Sequence, residues 1–219
     1  MVISNILCSL YELVVEESHL EATLGPSTTG HQFEGKVAAN LRKYQPPLSD
    51  IENRRYLPYP TYSGMRHQYD CIFKLDGIIY VIECKRQSQD ASKNQIYYFN
   101  SLITDHILGI KADKLTNELR GIFVSTTDLD DNSMIYATTN GIRIVTPKMP
   151  PLEYMLGKVE GNRYLKKNIE HLLSVIMVKS PLFSDSIMRR DPLPATIHEE
   201  YMSILVEWRE TIEAGSGAA

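Results

Sequence analysis

The dipeptide Asp76-Gly77 stands between two β-rich runs, Tyr69-Asp70-Cys71-Ile72-Phe73-Lys74-Leu75 and Ile78-Ile79-Tyr80-Val81-Ile82-Glu83-Cys84-Lys85. Asp-Gly in that setting is the strongest short-range signal for a two-residue type I′ turn. Register then follows by counting outward: Leu75 faces Ile78, Phe73 faces Tyr80, Cys71 faces Ile82 and Asp70 faces Glu83. Opposed residues sit about 4.5–5.5 Å apart at Cβ, and like charges placed that way destabilise a sheet. Side chains alternate faces with period two, so Lys85 projects with Glu83. Two carboxylates and an ammonium thus converge on one surface. Folding alone gives no reason for that; a divalent cation does.

The chain has 219 residues and a net charge of −4, a size that suits one domain with extensions. A protein that coats nucleic acid nonspecifically is usually basic, so a phosphate-binding surface here has to be a local patch. Arg42, Lys43, Arg54, Arg55, Arg66, Arg86 and Lys93 are its candidates, against the plainer reading of solvated faces. Three cysteines point to no disulfide framework, and a reducing cytoplasm fits best. No apolar run reaches the roughly 18 residues that span a bilayer, and the acidic first segment lacks the basic start of a signal peptide.

Residues 1–24 carry apolar positions at helical spacing and are expected as an amphipathic helix, a candidate dimer surface. Thr29 with Gln32 predicts a capping box for a helix over 31–44, stopped by Pro46-Pro47. The segment 54–62, punctuated by Pro58 and Pro60, reads as an edge strand or extended loop. A helix is expected over 93–107 and a further helical turn over 113–120. A buried strand follows at 121–126, then a helix at about 131–140 introduced by Asp128, Asp130 and Asp131. The Asp run is explained by capping and the helix dipole rather than by a cation. Asn140-Gly141 ends that helix, 142–145 is a strand, and Pro150-Pro151 opens a short helix. Two helical stretches, 168–179 and 196–213, flank a link with Pro181, Pro192 and Pro194. The divisions are therefore 1–24, a core at 25–158, a helical extension at 159–214 with Arg189-Arg190 unplaced, and a tail at 215–219.

Asp70, Glu83-Cys84-Lys85 and this order of elements resemble the PD-(D/E)xK nuclease superfamily, and within it the Mrr-type restriction endonuclease branch. Gly30-His31-Gln32-Phe33-Glu34, Ile82-Glu83-Cys84-Lys85-Arg86 and the strand–helix–strand of 121–145 carry the likeness. Tyr69 stands where the superfamily's name puts proline, and Glu83 where this branch often has glutamine. The resemblance implies an α/β, restriction-endonuclease-like αβββαβ core with a mixed sheet, here followed by a C-terminal helical appendage. It implies a magnesium-dependent endonuclease acting on DNA, in genome defence or DNA processing, with manganese as a substitute. Asp70, Glu83 and the Cys84 carbonyl would hold the metal, Glu34 would assist it, Lys85 would act on the attacking water, and Gln95 would stand nearby.

Magnesium takes oxygen ligands at about 2.0–2.1 Å, keeps several waters, and needs only one or two carboxylates beside the substrate phosphate. Lys85 is expected with its pKa depressed beside that cation. The plain reading of Asp70 and Glu83 is an exposed pair with Lys85 and Arg66, worth only about 0–1 kcal/mol. His67, alone near the site, reads as structural. Two rivals stay open: a catalytically silent nuclease-fold DNA-binding subunit whose C-terminal helices dock a protein partner, and a Holliday-junction-resolvase-like dimer.

Overall fold

Asp76 and Gly77 take φ of 52° and 82°, the paired positive values a type I′ turn requires. This is seen in a computed structural model that describes residues 2–24, 29–45, 48–86, 93–115, 117–159, 161–179 and 196–216. In chain order the elements are α1 (Val2–Leu24), α2 (Gly30–Arg42), β1 (Ser49–Tyr56), β2 (Gln68–Leu75), β3 (Ile78–Lys85) and α3 (Lys93–Ala112). They continue with β4 (Glu118–Ser125), α4 (Asp131–Thr139), β5 (Arg143–Val145), α5 (Leu152–Lys158), α6 (Arg163–Lys179) and α7 (Thr196–Ser216). Pro46-Pro47, the breaker-rich turn before Thr29, the link with Pro181, Pro192 and Pro194, Arg189-Arg190 and the last three residues of the tail lie outside the described residues.

The strands form one sheet in the order β1-β2-β3-β4-β5. β1, β2 and β3 pair antiparallel, and β3, β4 and β5 pair parallel. From α2 to β4 this is the expected αβββαβ order on a mixed sheet. The hairpin register is the one counted from the turn: Leu75↔Ile78, Phe73↔Tyr80 and Cys71↔Ile82. Phe73 and Tyr80 stack at 4.8 Å.

Each face of the sheet has its own core. On one, Ile6, Leu7, Leu10 and Val14 of α1 join Phe33, Val37 and Leu41 of α2 over Phe73, Tyr80, Ile82 and Ile122. Full burial of such side chains contributes about 1.5–3 kcal/mol each. The apolar stripe of α1 is thus spent on its own sheet and is not open to a second copy. On the other face, Phe99 and Ile103 of α3 cover Ile79, Val81 and Phe123, and Met155, Leu165, Ile169, Ile204 and Leu205 extend the same cluster. The C-terminal helices are present and close against it, Trp208 Nε1 donating to the Met155 carbonyl at 3.1 Å.

Local signals set the starts of α2 and α4. Thr29 and Gln32 form the reciprocal capping box, and Asp130 caps α4 by accepting from the Ser133 amide at 2.9 Å. Two expectations are corrected. Residues 118–120 belong to β4, not to a helical turn, because Ile78, Ile79 and Tyr80 pair in parallel with Glu118, Leu119 and Arg120. β1 begins at Ser49 and ends at Tyr56, so only part of 54–62 is strand. Among the described residues no helix is long and apolar enough to cross a membrane.

Candidate active site

The β2–β3 ladder stops at Cys71↔Ile82. One step further out, the Asp70 carboxylate takes the place of a strand: its Oδ2 accepts from the Cys84 amide at 2.8 Å. That bond holds the acid beside β3. On the same stretch Lys85 Nζ donates to Glu83 Oε1 at 2.5 Å. Asp70, Glu83 and Lys85 stand close enough to act on one another's ionisation.

Strict alternation would put Tyr69 and Cys71 on one face, yet they lie on opposite ones. Tyr69 packs on Phe99 of α3 at 6.4 Å between ring centres and its hydroxyl bonds His106 Nδ1 at 3.0 Å. Cys71 Sγ instead approaches the Glu34 carbonyl at 3.8 Å. The break falls at Asp70 and is matched on β1, where the pairs Asn53↔Cys71 and Arg55↔Tyr69 flank Arg54. Arg54 has φ of 53°, a costly conformation for a residue with a side chain. A strand residue in that conformation turns its side chain out of the regular pleat, although the register across it is unshifted. Here Arg54 Nε reaches Glu34 Oε2 at 2.5 Å, while His31 Nδ1 lies 3.4 Å from the other oxygen.

Glu34, Asp70, Glu83 and Lys85 are therefore assembled, with Arg54 added to them as a partner of Glu34. Gln95 stands half-buried in the first turn of α3. Burial, then the neighbouring Asp70, pushes Glu34 up to about 7, against the pull of Lys85. The touching guanidinium favours its ionised form. Burial also raises Asp70, countered by the Cys84 amide, and raises Glu83, reinforced by Asp70. Burial works to lower Lys85, but Glu83 and Asp70 outweigh it and the net direction is upward. Without a cation, then, Lys85 is held as an ammonium by Glu83 and Asp70; the depressed value belongs to the metal-bound state.

The rim candidates divide. Arg42 and Lys43 are exposed at the end of α2. Arg55 is exposed beside Glu52, Arg66 lies 4.6 Å over the Tyr56 ring, and Lys93 lies over Tyr97. Arg86 does not belong with them: its side chain is 5% exposed and turned toward Glu21 of α1. His67 bonds Asp105 of α3 at 2.6 Å, the structural role expected of it.

Among the described residues no group of three or more His, Cys, Asp or Glu side chains is arranged to hold a metal ion. Glu34 is turned to Arg54, so a cage made wholly of side chains is not built. The oxygens that could hold a magnesium ion here would be fewer: Asp70, Glu83 and the Cys84 carbonyl. A strand residue's N–H and C=O lie on the same edge, and the Cys84 amide points at Asp70. Two carboxylates and a carbonyl leave the positions that magnesium fills with water and phosphate.

No protein-family model matches the chain, and no similarity to a curated protein is detected. Among solved structures similar in fold are two with the following likeness. The small subunit of the heterodimeric restriction endonuclease R.BspD6I aligns with TM-score 0.47 and 15% identity over 89% of this chain and 97% of that one. A protein of unknown function, AF1548, aligns with TM-score 0.42 and 14% identity over 85% of this chain and 100% of that one.

Proposed function

We propose that this chain is a magnesium-dependent endonuclease of the PD-(D/E)xK superfamily, Mrr-type branch, hydrolysing DNA phosphodiester bonds in genome defence or DNA processing. The observation that carries the reading is the Cys84 amide bond to Asp70, which seats one carboxylate beside Glu83 and Lys85 where the ladder ends.

Asp70, Glu83 and the Cys84 carbonyl would hold the ion, with manganese as a substitute. When bound, it supplies a water of lowered pKa and positive charge against the developing phosphorane. Glu83 orients Lys85 through their ion pair. Lys85 begins as a cation, so it donates to a phosphate oxygen or orients the attacking water through its N–H groups. Asp70, fixed by a backbone amide, would need little reorganisation to meet the ion. Arg54 is placed to exchange Glu34 for a phosphate oxygen, since guanidinium suits both.

Plasmid incubated with magnesium tests this directly: wild type cuts, and Asp70→Ala, Glu83→Ala and Lys85→Ala each lose cutting. Cleavage surviving all three substitutions would refute the assignment. A second reading, a catalytically silent DNA-binding subunit, is favoured by the Glu34–Arg54 pair, which occupies one acid of the set. Calorimetry separates the two: DNA binding without magnesium or manganese binding supports the silent subunit.

A further inference from the structure

The loop 57–67, between β1 and β2, is held rigidly to α3 and yet exposes apolar side chains. Asp105 of α3 accepts from the Ser63 amide at 2.8 Å, from Ser63 Oγ at 2.5 Å and from His67 Nε2 at 2.6 Å. The Tyr62 amide donates to the Asp105 carbonyl at 3.0 Å, and Thr61 Oγ1 donates to the Met65 carbonyl at 2.6 Å. Beneath it Gly109 has no side chain, and a Cβ there would meet the Pro60 carbonyl oxygen at 2.4 Å. Despite this anchoring, Tyr62 is 72% exposed and Met65 64% exposed. Water solvates such groups poorly, so a preorganised loop presenting them in this way is suited to a ligand.

The loop's place says which ligand. β1 ends at Tyr56, β2 begins at Gln68, and β3 ends at Lys85, with antiparallel pairing throughout. The loop therefore sits at the sheet end that carries Asp70, Glu83 and Lys85. Met65 is five positions from Asp70, at most about 18 Å of extended chain. Arg66, stacked on Tyr56, and Arg55 add positive charge at its base. Under the loop lies a cavity of about 350 Å³ lined by Leu57, Tyr59, Met65, Arg66 and His106 among others.

We infer that this loop is a base-contacting element: Tyr62 and Met65 pack on a base of the polynucleotide whose phosphate lies at Asp70, Glu83 and Lys85, partly unstacking it. The inference rests on the nuclease reading of that site. Aromatic side chains stack on any base, and methionine is among the residues that wedge between base steps. Contacts of this kind act through affinity and unstacking rather than through the chemistry at the carboxylates.

The test uses a duplex oligonucleotide carrying a fluorescent adenine analogue, with calcium in place of magnesium so that the strand is not cut. Wild type should bind and brighten the analogue as it unstacks. Tyr62→Ala/Met65→Ala should bind at least about ten-fold more weakly, a typical stacking loss, and lose the brightening. Its thermal midpoint should be unchanged, because both side chains are exposed. Tyr164→Ala, an equally exposed tyrosine on α6, should behave as wild type. A double variant that binds and brightens like wild type overturns the loop proposal, and leaves the nuclease reading standing if Asp70→Ala still abolishes cutting. Wild type that binds no DNA overturns both and turns the loop toward a protein partner.

Discussion

Arg54 Nε and Glu34 Oε2 lie 2.5 Å apart, joining the irregular residue of β1 to the acid on α2. The Glu34 side chain is 11% exposed and the Arg54 side chain 38%, so the pair is half screened. Arg54→Ala should destabilise the metal-free protein by leaving a buried acid unpaired. Glu34→Gln in the same chain should recover most of the loss. Urea unfolding of the four-member cycle should give a coupling of about 1 kcal/mol; additive effects would mean that the contact contributes nothing.

Divalent ions should stabilise the protein more at pH 8 than near pH 4, the ordinary carboxylate value. Asp70 and Glu83 have folded pKa values raised above ordinary carboxylates, by burial first and for Glu83 also by Asp70. The folded state therefore holds protons that the unfolded state releases. Stability from these groups is present below the unfolded pKa of about 4 and is lost as pH rises through the folded values. A bound cation offsets that loss, and its affinity grows as the acids ionise. Melting scans with magnesium or manganese should show the larger upward shift at pH 8, and none in Asp70→Asn/Glu83→Gln. Equal shifts in that double variant would place the ion elsewhere.

The Asp105 clamp sets a second pH dependence of opposite sign. Burial works against its ionised form, but Ser63 and His67 outweigh it and hold the pKa below the usual value. Its contribution is complete above an unfolded pKa of about 3.9 and is lost as pH falls through the lower folded value. Wild type should therefore lose more of its thermal midpoint than Asp105→Asn between about pH 5 and pH 3. Parallel acid curves would show that the carboxylate does not anchor the loop.

Two glycine substitutions should move stability in opposite directions. Gly109→Ala drives a Cβ into the Pro60 carbonyl, backbone that cannot swing aside, and should cost about 1–3 kcal/mol. Gly35→Ala, within α2, meets nothing within 4 Å and should gain roughly 0.5–1 kcal/mol from helix propensity. Chemical denaturation reads both; a neutral Gly109→Ala would mean that the loop is not seated on α3.

Amino-acid order alone determined the hairpin, because a two-residue turn with obligatory positive φ leaves a single register and therefore names the residues at its open end. It also determined the capped ends of α2 and α4, where the bonding partners lie three residues apart. What it left undecided joins distant segments: Arg54 with Glu34 across 20 positions, Tyr69 with His106 across 37, and His67 with Asp105 across 38. No local turn sets those approaches. The hairpin count placed Asp70 opposite Glu83, but only the packing of α2 on one face and α3 on the other shows the strand turning over at Asp70, sending Tyr69 to one core and Cys71 to the other. That reversal leaves the carboxylate held by an amide where the β2–β3 ladder ends.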